Sequence, residues 1–383
     1  MKICDLTQFY SPVSGGVRRY LEQKALYIRR HCPGSQHILV VPGESHGMTG
    51  DDVCRVYTIA SPLVSRTARY RALLKLHLVE EVLEKERPDV IESGDPYQLA
   101  WKAVASGRGL GIPVVGFYHS HFPEALMRTV EKFTSPAITQ MMQDVARRYV
   151  CALYNHFAAT FVPSPQLVAL LAGWGVENLH SIDLGVDTSI FCPGSQGREA
   201  VRHRLEISPG QTGLLYVGRL APEKNVNTLF EAFSQLSASG RYRLVVVGDG
   251  SLRHLLLKLH ESCGSVTWIP YCSDPHELAN IYRAADIFVH PGIQETFGLV
   301  TLESQACGTP VVGIRGSYMD RIILTDQLHW ADENTPESLA AAIVSKTGAD
   351  IRSRGLAASE AVRARFSWES AFARIMDIYR QVV

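Results

Sequence analysis

The chain lacks paired cysteines, a net charge and any long apolar run, and each absence removes a class of protein. Its eight cysteines are scattered singly, with no Cys-x-x-Cys pair. That spacing argues against a disulfide framework or a metal cluster and for a reducing compartment. Basic and acidic residues balance at 38 each. Divided at Asp187, both halves stay near neutral, so neither is a basic nucleic-acid arm. No run reaches the ~18 apolar residues needed to span a bilayer. The first residues, MKICDLTQF, carry one lysine and no apolar stretch before polar residues, so they read as a strand rather than a signal peptide. The expected location is cytoplasmic, with peripheral contact at the inner face of the cytoplasmic membrane left open. Internal repeats and low-complexity tracts are also missing.

What is present is the composition of a protein with a real core: 46% apolar and 20% charged over 383 residues, enough for two domains. Short apolar runs alternate with helical patterns. Strands are expected at Ile3–Phe9, His37–Val41, Cys54–Ile59, Val90–Ser93, Val114–Tyr118 and Thr160–Pro163. A second series follows at Gly213–Val217, Arg243–Gly248, Val266–Pro270, Ile287–His290 and Pro310–Ile314. Helices are expected between them, among them Val17–His31, Arg66–Glu86, Val226–Ser237, Ser251–Glu261 and Ser273–Ala284. Such alternation implies parallel sheets covered by helices on both faces. The expected organisation is α/β: a doubly wound domain over 1–187, a Gly/Pro/Ser-rich linker near Leu184–Ser195, and a second domain over 195–365. An amphipathic helix at 366–383 is expected to cross back to the first. The helix Arg66–Lys75, RTARYRALLK, is basic, but Glu80, Glu81, Glu84 and Glu86 follow at once, so a solvated face is preferred to a membrane surface.

The most informative tract is His290–Val312, HPGIQETFGLVTLESQACGTPVV. Glu295 precedes a helix entry at Gly298, and Glu303 lies inside that helix. Strand ends face ligands in open α/β domains, and free amides at a helix start favour phosphate. If 295–303 were fully helical, the two carboxylates would stand about 12 Å apart, the reach of a sugar diphosphate. Gly218-Arg219 and Lys224, after the strand GLLYV, put two cations at another strand end, a fork and a point charge for phosphate oxygens. Gly15-Gly16-Val17, in the first βα loop, lets a phosphate approach the backbone; it is not a Gly-x-Gly-x-x-Gly dinucleotide fingerprint. His119 ends the strand VVGF and could bond a sugar hydroxyl; His121 follows it on the acceptor side. Asp95 could bind an acceptor hydroxyl, although Asp before Pro is a routine turn former. Asp249, in VVVGDG, reads as a loop residue near a nucleotide, and Trp268–Asp274 could line a base pocket.

These residues resemble the family 4 retaining glycosyltransferases of the GT-B fold. The likeness rests on Glu295-x7-Glu303, the Gly218-Arg219…Lys224 element and the Gly15-Gly16-Val17 loop, and is densest from Leu215 to Val312. It implies two Rossmann-like domains facing an interdomain cleft. It implies that Glu303 binds the ribose, Glu295 the donor sugar, and Arg219 and Lys224 the diphosphate. Amides at Phe297, Gly298 and Leu299 and the Gly16 loop would complete the cradle, and His119 matches the family's donor-sugar histidine. No metal or cofactor is implied: a nucleoside-diphosphate sugar is the donor and a glycan, lipid-linked or small hydroxyl compound the acceptor. Tyr118-His119-Ser120-His121-Phe122-Pro123 is similar to members that transfer mannose. Where the family has a Gly-Gly turn followed by Glu, this chain reads Gly316-Ser317-Tyr318-Met319-Asp320, and Ser304-Gln305 replaces a common Ala-Met. A nucleotide-sugar epimerase and a non-catalytic binding subunit are the alternatives. The base, the acceptor and the oligomeric state are not readable.

Overall fold

A computed structural model describes residues 1–11, 15–64, 69–119, 135–293, 295–317, 320–324, 330–347 and 351–383. Two units emerge, Met1–Asp183 with Trp368–Val383, and Leu184–Ser367.

Among the described residues the first unit holds an eight-stranded sheet in the order β3-β4-β2-β1-β5-β6-β7-β8. The strands are β1 Lys2–Leu6, β2 Gln36–Gly43, β3 Gly47–Gly50, β4 Cys54–Ala60, β5 Val90–Ser93, β6 Val114–Phe117, β7 Ala159–Val162 and β8 Leu179–Ser181. Strands such as β5, β6 and β7 are buried along their whole length, which is why they read as unbroken apolar runs. The chain leaves β1 to build β2 on one side, and β5 pairs with β1 on the other. The loops after β1 and β5 therefore lie at a switch point of the strand order, where open α/β sheets bind ligands. The helix Trp368–Val382 buries Phe372, Ile375, Met376 and Tyr379. Its Phe372 ring lies 5.5 Å from Tyr20 and 5.6 Å from Tyr27 of the helix Gly16–His31.

Among the described residues the second unit has five parallel strands in the order β11-β10-β9-β12-β13. They span Thr212–Val217 (β9), Tyr242–Val247 (β10), Val266–Ile269 (β11), Ile287–Val289 (β12) and Val311–Val312 (β13). Its switch point lies between β9 and β12, and the two loops that follow them carry the cations and the first carboxylate of the sequence motifs.

Two expectations need correction. The helix drawn over Arg66–Glu86 begins only at Leu76. From Arg69 to Lys75 the chain is not helical: Arg69 is left-handed with φ of 51°, and Leu63 bridges Arg71 in antiparallel fashion. Arg71 also donates to Ser61 O at 2.9 Å and Glu44 at 2.6 Å, so its charge is used by the fold rather than presented on a helix. Residues 66–68 lie outside the described part. Second, β3 and β8 were not expected; β3 is antiparallel to β4. The helix entry expected at Gly298 is present: Gly298 is left-handed at φ 82°, the helix starts at Leu299, and Glu295 lies in the loop before it. The helical rise therefore does not set the separation of Glu295 and Glu303.

Candidate active site

The loops after β9 and β10 are zipped together by backbone. Gly218 N donates to Val247 O at 2.9 Å, and Leu220 N to Asp249 O at 3.0 Å. Gly248, with φ of 141°, makes this approach possible: a Cβ there would stand 2.0 Å from Gly218 O. Asp249 folds back on its own loop, accepting from Gly250 N at 2.8 Å. Trp268 donates from Nε1 to Gly248 O at 2.8 Å and carries Arg253 4.5 Å above its ring.

From the zipped loop Arg219 projects into solvent, paired with Glu223 at 2.9 Å. A short turn over Pro222–Lys224 ends at Asn225, which is left-handed with φ of 55°. Asn225 donates from Nδ2 to Pro291 O at 2.9 Å and to Asn334 Oδ1 at 2.7 Å. It thereby ties the loop after β9 to the loop after β12. Across that tie the Lys224 ammonium meets the Glu295 carboxylate directly. Burial alone would raise the Glu295 pKa, but Lys224, His290 and Arg219 outweigh it and hold it below the ordinary value. His290 is buried, with Nε2 4.0 Å from the same carboxylate oxygen. Burial lowers its pKa, Glu295 opposing the shift and Lys224 adding to it.

Beyond Glu295, Phe297 is buried, 6.2 Å from Phe366 and 5.3 Å beneath Arg321. Its side chain anchors the turn. Gly298 then reverses the backbone, and the helix Leu299–Ala306 begins without a side-chain cap. The first amides of a helix have no intrahelical acceptor, and the helix dipole favours an anion there. Glu303 is buried and accepts from Tyr282 O–H at 3.2 Å. Gln305 also braces the fold: its amide donates to Ile322 O at 2.8 Å and accepts from Leu324 N at 2.6 Å. Asp320 accepts from Gly316 N at 3.0 Å and from Ser317 N at 3.1 Å, so it closes its own loop. Tyr318 and Met319 lie outside the described residues.

In the first unit Gly15 precedes the helix Gly16–His31 with an unstrained φ of −83°. A Cβ on it would meet no described atom within 4 Å. Asp95, after β5, accepts from Gln8 N at 3.0 Å and Tyr97 N at 3.2 Å, which binds the β1 and β5 loops together. His119, after β6, stacks on Phe117 with ring centroids 4.0 Å apart and meets the edge of Tyr20 at 5.1 Å. A Cβ on Gly94 would stand 3.6 Å from His119 Cδ2, so the loops after β5 and β6 touch. Burial lowers the His119 pKa to about 3, leaving a neutral imidazole. His121 falls outside the described residues.

The model of the family described as Glycosyltransferase Family 4 matches residues 14–213, more than half the chain. The chain belongs to glycosyltransferase family 4. A second model, Glycosyl transferases group 1, matches 197–345. A GDP-mannose-dependent alpha-(1-6)-phosphatidylinositol dimannoside mannosyltransferase of Mycobacterium tuberculosis is 30% identical over 98% of this chain and 95% of its own. A D-inositol 3-phosphate glycosyltransferase of Streptosporangium roseum is 36% identical over 55% of this chain and 51% of its own. Among solved structures, sucrose-phosphate synthase from Thermosynechococcus elongatus aligns with a TM-score of 0.76 at 22% identity, covering 99% and 98% of the two chains. HepE of Anabaena, solved with UDP and glucose, aligns at 0.73 and 17% over the whole of both. These structures share the GT-B fold with this chain.

The protein is therefore a nucleotide-sugar-dependent hexosyltransferase. Asn225 and His290 hold the loops after β9 and β12 of this glycosyltransferase, and neither is among the residues expected from the sequence. A Lys-Asn pair at the end of a Pro-initiated turn was the available signal for Asn225, since asparagine tolerates left-handed backbone. His290 had none beyond its place at a strand end.

Proposed function

We propose that this glycosyltransferase moves mannose from GDP-mannose to a hydroxyl of an inositol-containing, lipid-linked acceptor, with retention of configuration and without a bound metal. The observation that carries the donor reading is the Lys224–Glu295 pair at the switch point of the second unit, beside Arg219 and an uncapped helix start. In the free protein the two charges satisfy each other. A donor would take both: phosphate oxygens accept from Lys224 and Arg219, and sugar hydroxyls donate to Glu295. Glu303 is assigned to the ribose, and Asp249 lies beside the nucleotide. Two cations and a helix start neutralise the leaving diphosphate, whose oxygen takes the proton of the attacking hydroxyl on the same face of the sugar. Gly15 supports a phosphate contact from the first unit, since its own backbone and the described residues around it do not require glycine. His119 and Val17 are assigned to the donor and Asp95 to the acceptor side. The mannose and lipid assignments rest on the Mycobacterium relative.

Peripheral membrane contact belongs to the same proposal. Ile138, Met141 and Val145 stand exposed on the helix Pro136–Tyr154 at spacings that share one face.

A thermal-shift panel of GDP, UDP, ADP and their hexose derivatives tests the donor. GDP-mannose should raise Tm most, as a ligand binding only the folded state must. Lys224→Ala should remove that shift and lower turnover about 10²-fold or more, while EDTA should leave turnover unchanged. Product analysis with donor alone separates transfer from epimerisation. A flat panel, or full activity in Lys224→Ala, would sink the diphosphate assignment.

A further inference from the structure

Beneath His119 the first unit buries a cluster of charges that the proposed reaction does not use. Asp5 on β1 and Glu92 on β5 are register partners on adjacent parallel strands, and both are buried. Lys24, fully buried on the helix Gly16–His31, lies 2.7 Å from Asp5 Oδ1 and 3.2 Å from Glu92 Oε2. His37 on β2 contacts the other Asp5 oxygen. Each Glu92 oxygen also takes one phenol. Tyr20 donates to Oε1 at 3.0 Å and Tyr379, from the C-terminal helix, to Oε2 at 2.5 Å. Such a cluster is costly to desolvate and is stable only when every member is partnered.

The two phenols lead to the proposed donor groups. Tyr20 sits one turn into the helix that starts at Gly16, and its ring edge holds His119 at 5.1 Å. Tyr379 locks the same carboxylate from the far side, with its ring 5.1 Å from the Lys24 ammonium. We propose that Glu92 is a positioning residue: through Tyr20 it fixes the His119 ring, and Tyr379 of the C-terminal helix sets its place. The inference rests on the assignment of His119 to the donor sugar.

The test is a double-mutant cycle. Tyr379→Phe deletes a single hydroxyl and Tyr20→Phe deletes the other while keeping the ring against His119. Each is made alone and with His119→Ala, and GDP release from GDP-mannose is followed with and without acceptor. A loose support for a reacting group costs turnover rather than ground-state binding, so each single variant should lower kcat about tenfold with donor KM little changed. In the His119→Ala background both effects should shrink to less than about twofold, because coupled sites are not additive. The His119 ring proton, shifted by stacking on Phe117, should also move in Tyr379→Phe. Equal losses in both backgrounds, or folded variants of unchanged kcat and unchanged ring resonance, would overturn the proposal. Full turnover in His119→Ala alone would instead overturn the assignment of His119 itself, which separates the two failures. Should Tyr379→Phe fail to fold, Tyr20→Phe decides by the same criteria.

Discussion

Asp95 shows how a single residue can serve fold and site at once. Burial raises its pKa from 3.8 to about 6, and the amides of Gln8 and Tyr97 only partly oppose that rise. Because the folded-state pKa lies above the unfolded one, the folded protein holds this proton more tightly. The contribution to stability is complete below pH 3.8 and is lost as pH rises through about 6. Asp95→Asn keeps an acceptor for the two amides and removes the titration. Urea unfolding of both proteins across that interval should show wild type losing roughly 3 kcal/mol relative to the variant. Parallel pH dependence in the two would show that Asp95 titrates normally. The residue-scale reading singled out Lys224 and Glu295, each after a strand end, and the two meet as charges in one loop pair. It failed for Asp5, Lys24 and Glu92, because an acid inside an apolar strand announces nothing about the cation that a distant helix brings to it.

At the scale of elements, loops are placed by backbone contacts as much as by strands. Gly248→Ala would drive a Cβ to 2.0 Å from Gly218 O, at a φ of 141°. It should cost more than about 3 kcal/mol and lower Tm accordingly. Gly173→Ala, at the end of the helix Pro165–Gly173 and with open space around its Cβ, should be neutral or raise stability by about 0.5 kcal/mol. A mild effect at Gly248 in a melting scan would mean that the zipper between the β9 and β10 loops yields easily. Strands buried on both faces were legible, since each is an apolar run bounded by Gly, Pro or polar residues. The edges were not: β3 is GMTG, exposed throughout, and β8 is three half-buried residues. The helix expected from Arg66 is too long because its composition is helical, yet Arg71 is tied to Ser61 and Glu44 and the helix begins only at Leu76.

At the scale of the whole molecule, each unit has its own sheet and its own assigned chemistry. Deuterium exchange with GDP should slow amides of Gly218–Asn225 and of Phe297–Thr301 before any in the sheet of the first unit. Protection confined to the first unit would remove the nucleotide from the second. The last helix has another consequence, which concerns synthesis rather than catalysis. Tyr379 and Phe372 complete the first unit, yet the chain between Leu184 and Ser367 forms the other. On the ribosome Glu92 therefore lacks this partner until the helix Trp368–Val382 has emerged. The segment Leu184–Ser367 is translated before that helix.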